Sequence, residues 1–181
     1  ITRTIAIGTP PKGAVAAYSH VLQSHIHLAV AKFPEGTNGK QLDAIARAPL
    51  WAAGLDFAHG TGHGVGHVLS VHEGPASISK RGDVALEAGM VLSNEPGYYQ
   101  TGDWGIRIEN LIVVTPVKQT GFLEFETITL CPLDRRLIDK TLLVADEIGW
   151  IDHYHRAVYE QLHPHLSPMA KSWLEAACRQ L

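Results

Sequence analysis

Cysteine is scarce in this chain of 181 residues, which contains 2 cysteines, Cys131 and Cys178. The two are 47 positions apart by subtraction of their numbers, so they form no C-x-x-C motif. A chain of this kind needs no disulfide framework, and a reducing compartment is the ordinary setting for it. We therefore expect a cytoplasmic location.

Charge is also low in amount and nearly balanced in sign. Charged residues make up 18% of the chain, below the roughly 25% that is typical of soluble domains. The net charge of −3 offers nothing that would attract nucleic acid or an anionic membrane. No apolar run reaches the roughly 18 residues that a membrane-spanning helix needs. With 45% hydrophobic residues, the composition excludes a disordered polar chain and predicts a packed domain.

Two patterns of hydrophobic spacing alternate along the chain and predict an α+β fold. Apolar residues at three- and four-residue spacing predict helices over residues 12–33, 40–53, 144–162 and 168–178. Short β-type runs predict strands over residues 2–7, 90–93, 107–115 and 122–129. Asn38 and Ser167 are suited to cap the second and the last helix. A change of pattern at Pro132 divides the chain into a mixed part, residues 1–131, and a helical extension, residues 132–181.

Histidine is plentiful, with 11 residues, and the densest group is the segment HGTGHGVGH at residues 59–67. Its histidines, His59, His63 and His67, recur every four residues, as metal ligands on one helix face would. The four interleaved glycines argue against a helix, because each costs about 1 kcal/mol there. An extended or loop backbone is therefore favoured. Taken alone, the segment is also compatible with a glycine-rich surface loop that carries incidental histidines.

Two glutamates lie inside apolar, strand-like runs: Glu95 in VLSNEPG and Glu109 in RIENLIVV. A buried carboxylate is costly unless it is paired or bound to a metal. One histidine with two carboxylates is a ligand set that suits Mn²⁺, Zn²⁺, Co²⁺ or Fe²⁺. The alternative is a plain ion pair between Glu109 and Arg107, which lies two residues away on the same strand face.

Taken together, these motifs resemble those of aminopeptidase P, the Xaa-Pro aminopeptidases among the pita-bread metallopeptidases of family M24. The resemblance rests on HGTGHGVGHVLSVHEGP at residues 59–75, EPGYY at 95–99 and GIRIEN at 105–110, and it continues through the helical tail. It implies the C-terminal part of a pita-bread fold, whose helical extension forms homodimers. It also implies hydrolysis of the N-terminal Xaa-Pro bond of proline-containing peptides, by a water activated between two divalent ions. Mn²⁺ is the first expectation for these ions, with Zn²⁺ and Co²⁺ as further possibilities.

By the same resemblance, His63, Glu95 and Glu109 are expected to bind metal, and Glu95 to act as the general base as well. The family pattern adds two aspartates, and both would precede Ile1; the aspartates of this chain lie outside those positions. We therefore expect a missing N-terminal part of the same polypeptide to supply them, and the 181 residues to be inactive alone.

The resemblance also implies roles for residues around the ligands. His59 and His72 are expected to contact the substrate and stabilise the reacting centre, and Arg107 to support the metal ligands from behind. His67 departs from the family pattern and is interpreted as a tolerated substitution. Two other functions stay open: a Xaa-Pro dipeptidase of the prolidase type, and a non-catalytic pita-bread module that binds peptides. The presence of every expected ligand after Ile1 favours an enzyme.

Overall fold

Helices and strands are mixed along the chain, of which the computed structural model describes residues 1–68, 70–118 and 120–181. This mixture confirms the predicted α+β class. In these residues the α-helices are α1 (Ala14–Ala29), α2 (Gly39–Ala52), α3 (Ala145–Leu162) and α4 (Pro168–Ala177). The strands of the same residues are β1 (Lys32–Pro34), β2 (Gly62–His63), β3 (Ser77–Ile78), β4 (Val91–Asn94), β5 (Gly97–Gln100), β6 (Trp104–Arg107), β7 (Asn110–Val117) and β8 (Phe122–Thr127). Short 3-10 helices cover Arg135–Leu137, Lys140–Leu142 and His163–His165.

Side-chain caps start two of the helices, as the sequence predicts. Oδ1 of Asn38 accepts a hydrogen bond from the backbone N–H of Gln41 at 3.2 Å, and Oε1 of Gln41 accepts one from the N–H of Asn38 at 3.1 Å. This reciprocal pair satisfies two backbone donors at the start of α2. At the start of α4, Oγ of Ser167 accepts from the N–H of Ala170 at 3.5 Å.

The helix predicted over residues 12–33 is too long at its C-terminal end. Helix α1 stops at Ala29, and the residues that follow the turn form β1. Phe33 lies in that strand, 2% exposed, and pairs in register with Leu123 of β8. Sheet pairing and burial of the phenylalanine therefore outweigh the helical spacing of the sequence.

The strand predicted over residues 2–7 is also wrong. Across these residues, all of which the structure describes, pairing is confined to an isolated bridge between Thr2 and Glu109. The next residue, Arg3, instead donates from Nη2 to the carbonyl of Cys131 at 2.8 Å. Side-chain contacts with the C-terminal part of the chain thus replace a strand ladder.

The strand predicted over residues 107–115 divides into β6 and β7. The chain changes partner at this point, because β6 pairs with β5 whereas β7 pairs with β4 and β8. Ile108 and Glu109 lie between the two ladders, and the N–H of Ile108 donates to the carbonyl of Pro96 at 3.3 Å. The break places Glu109 at the end of a sheet rather than within it.

The described residues form two compact units, residues 1–2 with 20–129 and residues 3–19 with 130–181. The first unit contains an antiparallel sheet in the order β1-β8-β7-β4 and the two-stranded pairs β2-β3 and β5-β6. One apolar core cluster joins this sheet to α1 and α2. Its fully buried members are Leu28, Leu42, Ala46, Ile78, Leu92, Ile112 and Val114.

The second unit is helical and contains α3 and α4. Its buried apolar side chains include Ile151, Val158 and Leu174. A polar contact joins its two chain segments, because Nη2 of Arg3 donates to the hydroxyl of Tyr154 at 2.8 Å. Among the described residues, no helix combines the length and the apolar composition that crossing a bilayer requires.

Candidate metal centre

The pairing of β4 with β7 brings Glu95 and Glu109 together. Asn94, the last residue of β4, lies opposite Asn110, the first residue of β7. Glu95 directly follows the one and Glu109 directly precedes the other. Because the strands are antiparallel, both carboxylates emerge at the same end of the sheet.

Two buried amides fix this end of the sheet to helix α1. Nδ2 of Asn94 donates to the carbonyl of His25 at 2.9 Å, and Nδ2 of Asn110 donates to Nε2 of the same histidine at 3.1 Å. All three residues are 0% exposed. Buried polar contacts of this kind define one arrangement of the backbone, which positions the glutamates beside the asparagines.

His63 reaches the glutamates from β2 with a defined ring orientation. Its Nδ1 lies 2.9 Å from the carbonyl oxygen of Gly64, which can only accept, so Nδ1 carries the proton. The lone pair of Nε2 is therefore available, and this atom lies 3.2 Å from Oε1 of Glu95. A histidine that donates one ring N–H to a carbonyl while the other nitrogen faces carboxylates has the arrangement of a metal ligand. Ser93 adds a link, since Oγ accepts from the N–H of His63 at 3.0 Å and donates to Oε1 of Glu95 at 3.3 Å.

Three donor atoms converge at this point and fit a divalent cation. One ligand atom each of His63, Glu95 and Glu109 lies within 4.8 Å of the other two. The side chains are 19%, 13% and 13% exposed, which leaves an approach from solvent. Imidazole nitrogen and carboxylate oxygen bind metals at about 2.1 Å, so small side-chain shifts would bring all three onto one ion. The hydroxyl of Thr2 donates to Oε2 of Glu109 at 2.5 Å and orients that carboxylate.

Arg107 lies beside this cluster and is linked to His59 through Tyr99. Nη1 of Arg107 is 3.7 Å from Oε2 of Glu95, and its Nε donates to the hydroxyl of Tyr99 at 3.0 Å. The bond to Tyr99 raises the pKa of Arg107, and the charges of Glu95 and Glu109 raise it further. Nδ1 of His59 donates to the carbonyl of Gly60 at 2.8 Å, so its Nε2 accepts from the Tyr99 hydroxyl, also at 2.8 Å.

His72 lies next to the cluster without joining it. Its ring centroid is 4.2 Å from that of His63, and the residue is exposed. The structure thus brings together His63, Glu95 and Glu109, with His72 and Arg107 at their sides. His59 lies farther from the cluster, at the end of the hydrogen bonds that run from Arg107 through Tyr99.

A fully buried arginine shapes the backbone that leads into the histidine segment. Arg47 of α2 is 1% exposed and donates to Oδ2 of Asp43 at 2.8 Å and to Oδ1 of Asp56 at 2.7 Å. It also donates to the carbonyls of Phe57 at 2.7 Å and of His59 at 2.6 Å. Through these contacts Asp43 and Asp56 pair with Arg47 rather than with the metal cluster. The same contacts hold residues 57–59 in place.

The same network continues to Thr61, whose hydroxyl donates to Oδ1 of Asp43 at 2.6 Å. At Asp56 burial opposes ionisation, but hydrogen bonds from the N–H of Phe57 and from Arg47 outweigh it and lower the pKa of the carboxyl group. The carboxylate form is thereby favoured where the buried guanidinium needs it.

Comparison with known proteins agrees with this arrangement of residues. The pattern of metallopeptidase family M24 matches residues 1–116, and that of the C-terminal region of peptidase M24 matches residues 121–181. The chain belongs to metallopeptidase family M24. This confirms the resemblance on which the ligand assignments rest.

Among M24 relatives, a probable Xaa-Pro aminopeptidase P of Coprinopsis cinerea is 47% identical over 97% of this chain. Aminopeptidase P1 of Lotus japonicus is 46% identical over 98% of it. The chain spans 30% and 28% of the lengths of these two proteins.

Solved M24 structures confirm the expected pita-bread fold. The crystal structure of X-prolyl aminopeptidase from Caenorhabditis elegans, described as a cytosolic enzyme with a di-nuclear active site, matches with a TM-score of 0.92. It is 43% identical, over 99% of this chain and 31% of that one. A Xaa-Pro dipeptidase from Bacillus anthracis matches with a TM-score of 0.63 and 34% identity, over 73% of this chain and 35% of that one.

Sequence reasoning assigned no role to several residues that position this M24 site. Asn94 and Asn110 anchor the two strand ends, and Tyr99 joins Arg107 to His59. One signal was present in the sequence: the order Asn-Glu at 94–95 is mirrored by Glu-Asn at 109–110. Antiparallel pairing converts such a mirrored order into two adjacent carboxylates.

Proposed function

We propose that this chain carries the metal-binding and substrate-binding half of the active site of a Xaa-Pro aminopeptidase. The convergence of His63, Glu95 and Glu109 within 4.8 Å carries the proposal. The similarity to Xaa-Pro aminopeptidases along almost the whole chain supports it. Hydrolysis of the bond between an N-terminal residue and proline is the activity that these two observations favour together.

Three protein ligands are too few for a pair of ions, so we propose that two aspartates outside the 181 residues complete the set. The comparisons support this, because the chain spans only 30% of the length of the Coprinopsis cinerea relative and 31% of the solved X-prolyl aminopeptidase. The chain on its own is then expected to be inactive.

Each residue of the site has a distinct task in the proposed reaction. His63, Glu95 and Glu109 would hold divalent cations, which when bound would supply a water of lowered pKa as the nucleophile near neutral pH. Glu95 would accept the proton of that water, and Arg107, 3.7 Å away, keeps the carboxylate oriented. His72 is exposed next to His63, where it can donate a hydrogen bond to the reacting carbonyl oxygen. His59 is held by two hydrogen bonds and offers a fixed surface for the substrate.

Manganese is the proposed metal, because one imidazole with carboxylates is a hard to intermediate donor set that suits Mn²⁺, with Zn²⁺ and Co²⁺ as the alternatives. We further propose a homodimer formed through the helical extension, residues 132–181, on a catalytic part over residues 1–131. A cytosolic location is proposed by analogy with the Caenorhabditis elegans relative.

A Xaa-Pro dipeptidase is the second candidate, since dipeptidases share the fold of the site. The solved dipeptidase from Bacillus anthracis matches 73% of this chain, whereas the X-prolyl aminopeptidase matches 99%. Coverage alone does not separate the two activities, because an X-Pro aminopeptidase from Thermotoga maritima also matches 73% of this chain. The aminopeptidase is favoured by identity, which is 47% to the Coprinopsis cinerea relative and 34% to the dipeptidase. A non-catalytic peptide-binding module is less favoured, because it has no need of three converging ligands.

The test is an assay of the polypeptide that carries these 181 residues, with Mn²⁺, on an Xaa-Pro-Xaa tripeptide and on the matching Xaa-Pro dipeptide. We expect release of the first residue from the tripeptide, and loss of that release in Glu109→Gln. Lys118→Gln, an exposed change, is the control. Cleavage of the dipeptide alone would establish the dipeptidase, and cleavage of neither would leave the binding module.

A further inference from the structure

A second feature of the substrate side of the site is a basic cleft next to His59. The antiparallel pairing of β2 with β3 aligns Gly62 with Ile78 and His63 with Ser77. Beyond the strand ends the two segments stay together, because a Cβ at Gly60 would lie 3.2 Å from Cβ of Ser79. The pairing that orients His63 therefore also brings the residues after β3 alongside His59.

These residues enclose a cleft of about 430 Å³ with an excess of positive charge. It is lined by Arg47, Ala58, His59, Gly60, Ser79, Lys80 and Arg81. Arg47 is already paired with the carboxylates of Asp43 and Asp56. Lys80 and Arg81 are exposed, and the contact of Lys80 with Asp56 is long, at 3.9 Å between two exposed side chains. Such a contact contributes little, so both cations are available to an anion in the cleft.

The backbone that carries the two cations is firmly held. The N–H of Gly82 donates to the carbonyl of Ser79 at 2.9 Å, and the carbonyl of Gly82 accepts from the N–H of Lys40 at 2.9 Å. A Cβ at Gly82 would lie 2.3 Å from the carbonyl oxygen of Ser77. The turn is thus closely packed against the start of α2, so the backbone that carries Lys80 and Arg81 has a fixed position.

We propose that this cleft binds a carboxylate of the peptide substrate, with Lys80 and Arg81 as specificity-determining residues. The inference rests on the proposed function, because His59 is the residue that the cleft shares with the proposed substrate site. The carboxylate can be the C-terminal α-carboxylate of a short peptide or an acidic side chain near the scissile bond. Two exposed cations acting together on one carboxylate support a preference of about 5-fold in kcat/KM, which salt screens.

The experiment measures hydrolysis, with Mn²⁺ present, of matched pairs of peptides whose two members differ by one carboxylate. The pairs are Ala-Pro-Ala against its C-terminal amide, Ala-Pro-Glu-amide against Ala-Pro-Gln-amide, and Glu-Pro-Ala-amide against Gln-Pro-Ala-amide. The enzyme is the polypeptide that carries these 181 residues, assayed at low salt and again in 1 M NaCl, where the screening length is about 3 Å. We expect at least one pair to favour the acid about 5-fold in kcat/KM at low salt. The pair that responds identifies the source of the carboxylate.

The assignment to this cleft is tested by the double variant Lys80→Gln/Arg81→Gln. We expect its ratio of acid to neutral kcat/KM to fall to about 1, as expected for loss of a screened ion pair. Lys12→Gln/Arg156→Gln removes the same two charges from exposed positions elsewhere and is expected to keep the wild-type ratio. An acid preference that survives in Lys80→Gln/Arg81→Gln overturns the assignment. Turnover of every pair without an acid preference overturns the inference and leaves the aminopeptidase intact, whereas no turnover of any neutral peptide overturns the proposed function itself.

Discussion

Two histidines, one in each unit, show how neighbours decide what this side chain does. His63 donates from Nδ1 to a carbonyl, and its Nε2 faces the carboxylate of Glu95 at 3.2 Å. His155 of the second unit is 0% exposed, and its Nε2 accepts a hydrogen bond from the backbone N–H of Leu133 at 3.0 Å. Burial, followed by the charge of Arg135, lowers the pKa of His155 to about 4.

The difference teaches that a histidine becomes a candidate ligand when the lone pair of its ring faces other anionic donors. The lone pair of His155 is already used by the backbone, so that residue serves the packing of its unit. The lone pair of His63 has no backbone N–H as its partner in the contacts described, and it lies among carboxylates. In the proposed function His63 of the first unit binds metal, whereas His155 of the second unit is held by the backbone and serves packing.

Removing the two histidines separately is the strongest test of this contrast. We expect His63→Ala to weaken Mn²⁺ binding by more than about 100-fold, because a ligand is lost and not only a residue that supports one. His155→Gln, which keeps a side-chain acceptor, should leave the affinity unchanged. Isothermal titration of Mn²⁺ into the polypeptide that carries these residues would measure both, and equal affinities for the two variants would contradict the assignment of His63.

Burial of charge provides the next test. Arg47→Met leaves Asp43 buried without its cation, and breaking a buried pair on one side typically destabilises by about 3–5 kcal/mol. Arg156→Met, on the exposed side of α3, should change the free energy of unfolding by less than about 0.5 kcal/mol. Urea unfolding followed by circular dichroism would compare them. A loss below about 1 kcal/mol in Arg47→Met would mean that the network does not stabilise the first unit as its geometry indicates.

The pH dependence of stability should be traceable to His155. Its pKa is about 4 in the folded chain against 6.5 ordinarily, so between these values the unfolded chain binds the additional proton. The contribution of His155 to the free energy of unfolding is therefore fully present above pH 6.5, and it is lost as the pH decreases towards 4. At pH 5 this histidine alone should account for a loss of about 2 kcal/mol relative to pH 7.5.

The measurement is the free energy of unfolding at both pH values in wild type and in His155→Gln. The glutamine does not titrate, so its curve should lack this part of the decrease, while the contribution of other groups persists. Parallel curves for the two proteins would show that His155 is not the group that titrates.

The sequence was sufficient for the fold class and for the helices of the second unit, and its motifs predicted three side chains that the structure brings together, His63, Glu95 and Glu109. Helix α2 was predictable because its cap and its apolar spacing agree, and β8 because its alternation is regular. The segment over residues 2–7 reads as a strand by composition, but its pairing stops at Thr2. Nothing in a local pattern specifies whether a partner strand is present.

The geometry of the site depends on long-range pairing and could be predicted only through resemblance. Glu95 and Glu109 are 14 positions apart by subtraction, and they meet because Asn94 and Asn110 occupy one register position. A shift of register by one residue would send one carboxylate to the other face of the sheet. The buried position of Arg47 was equally hidden, since an arginine within a helical pattern is ordinarily exposed.

The caps of α2, in the first unit, and of α4, in the second, provide the comparison with the smallest expected effect on stability. Asn38 and Gln41 exchange two hydrogen bonds of 3.1 and 3.2 Å, whereas Ser167 makes one cap bond of 3.5 Å. Loss of a good cap costs about 1 kcal/mol, so Asn38→Ala should lower the free energy of unfolding by about that amount and Ser167→Ala by clearly less. Urea unfolding of both variants measures the difference. A larger loss in Ser167→Ala than in Asn38→Ala would contradict the inference that α2, the helix leading to the histidine segment, is capped more firmly than α4. That inference rests on the two reciprocal bonds of the α2 cap, which hold more of the backbone than the single long bond of the α4 cap.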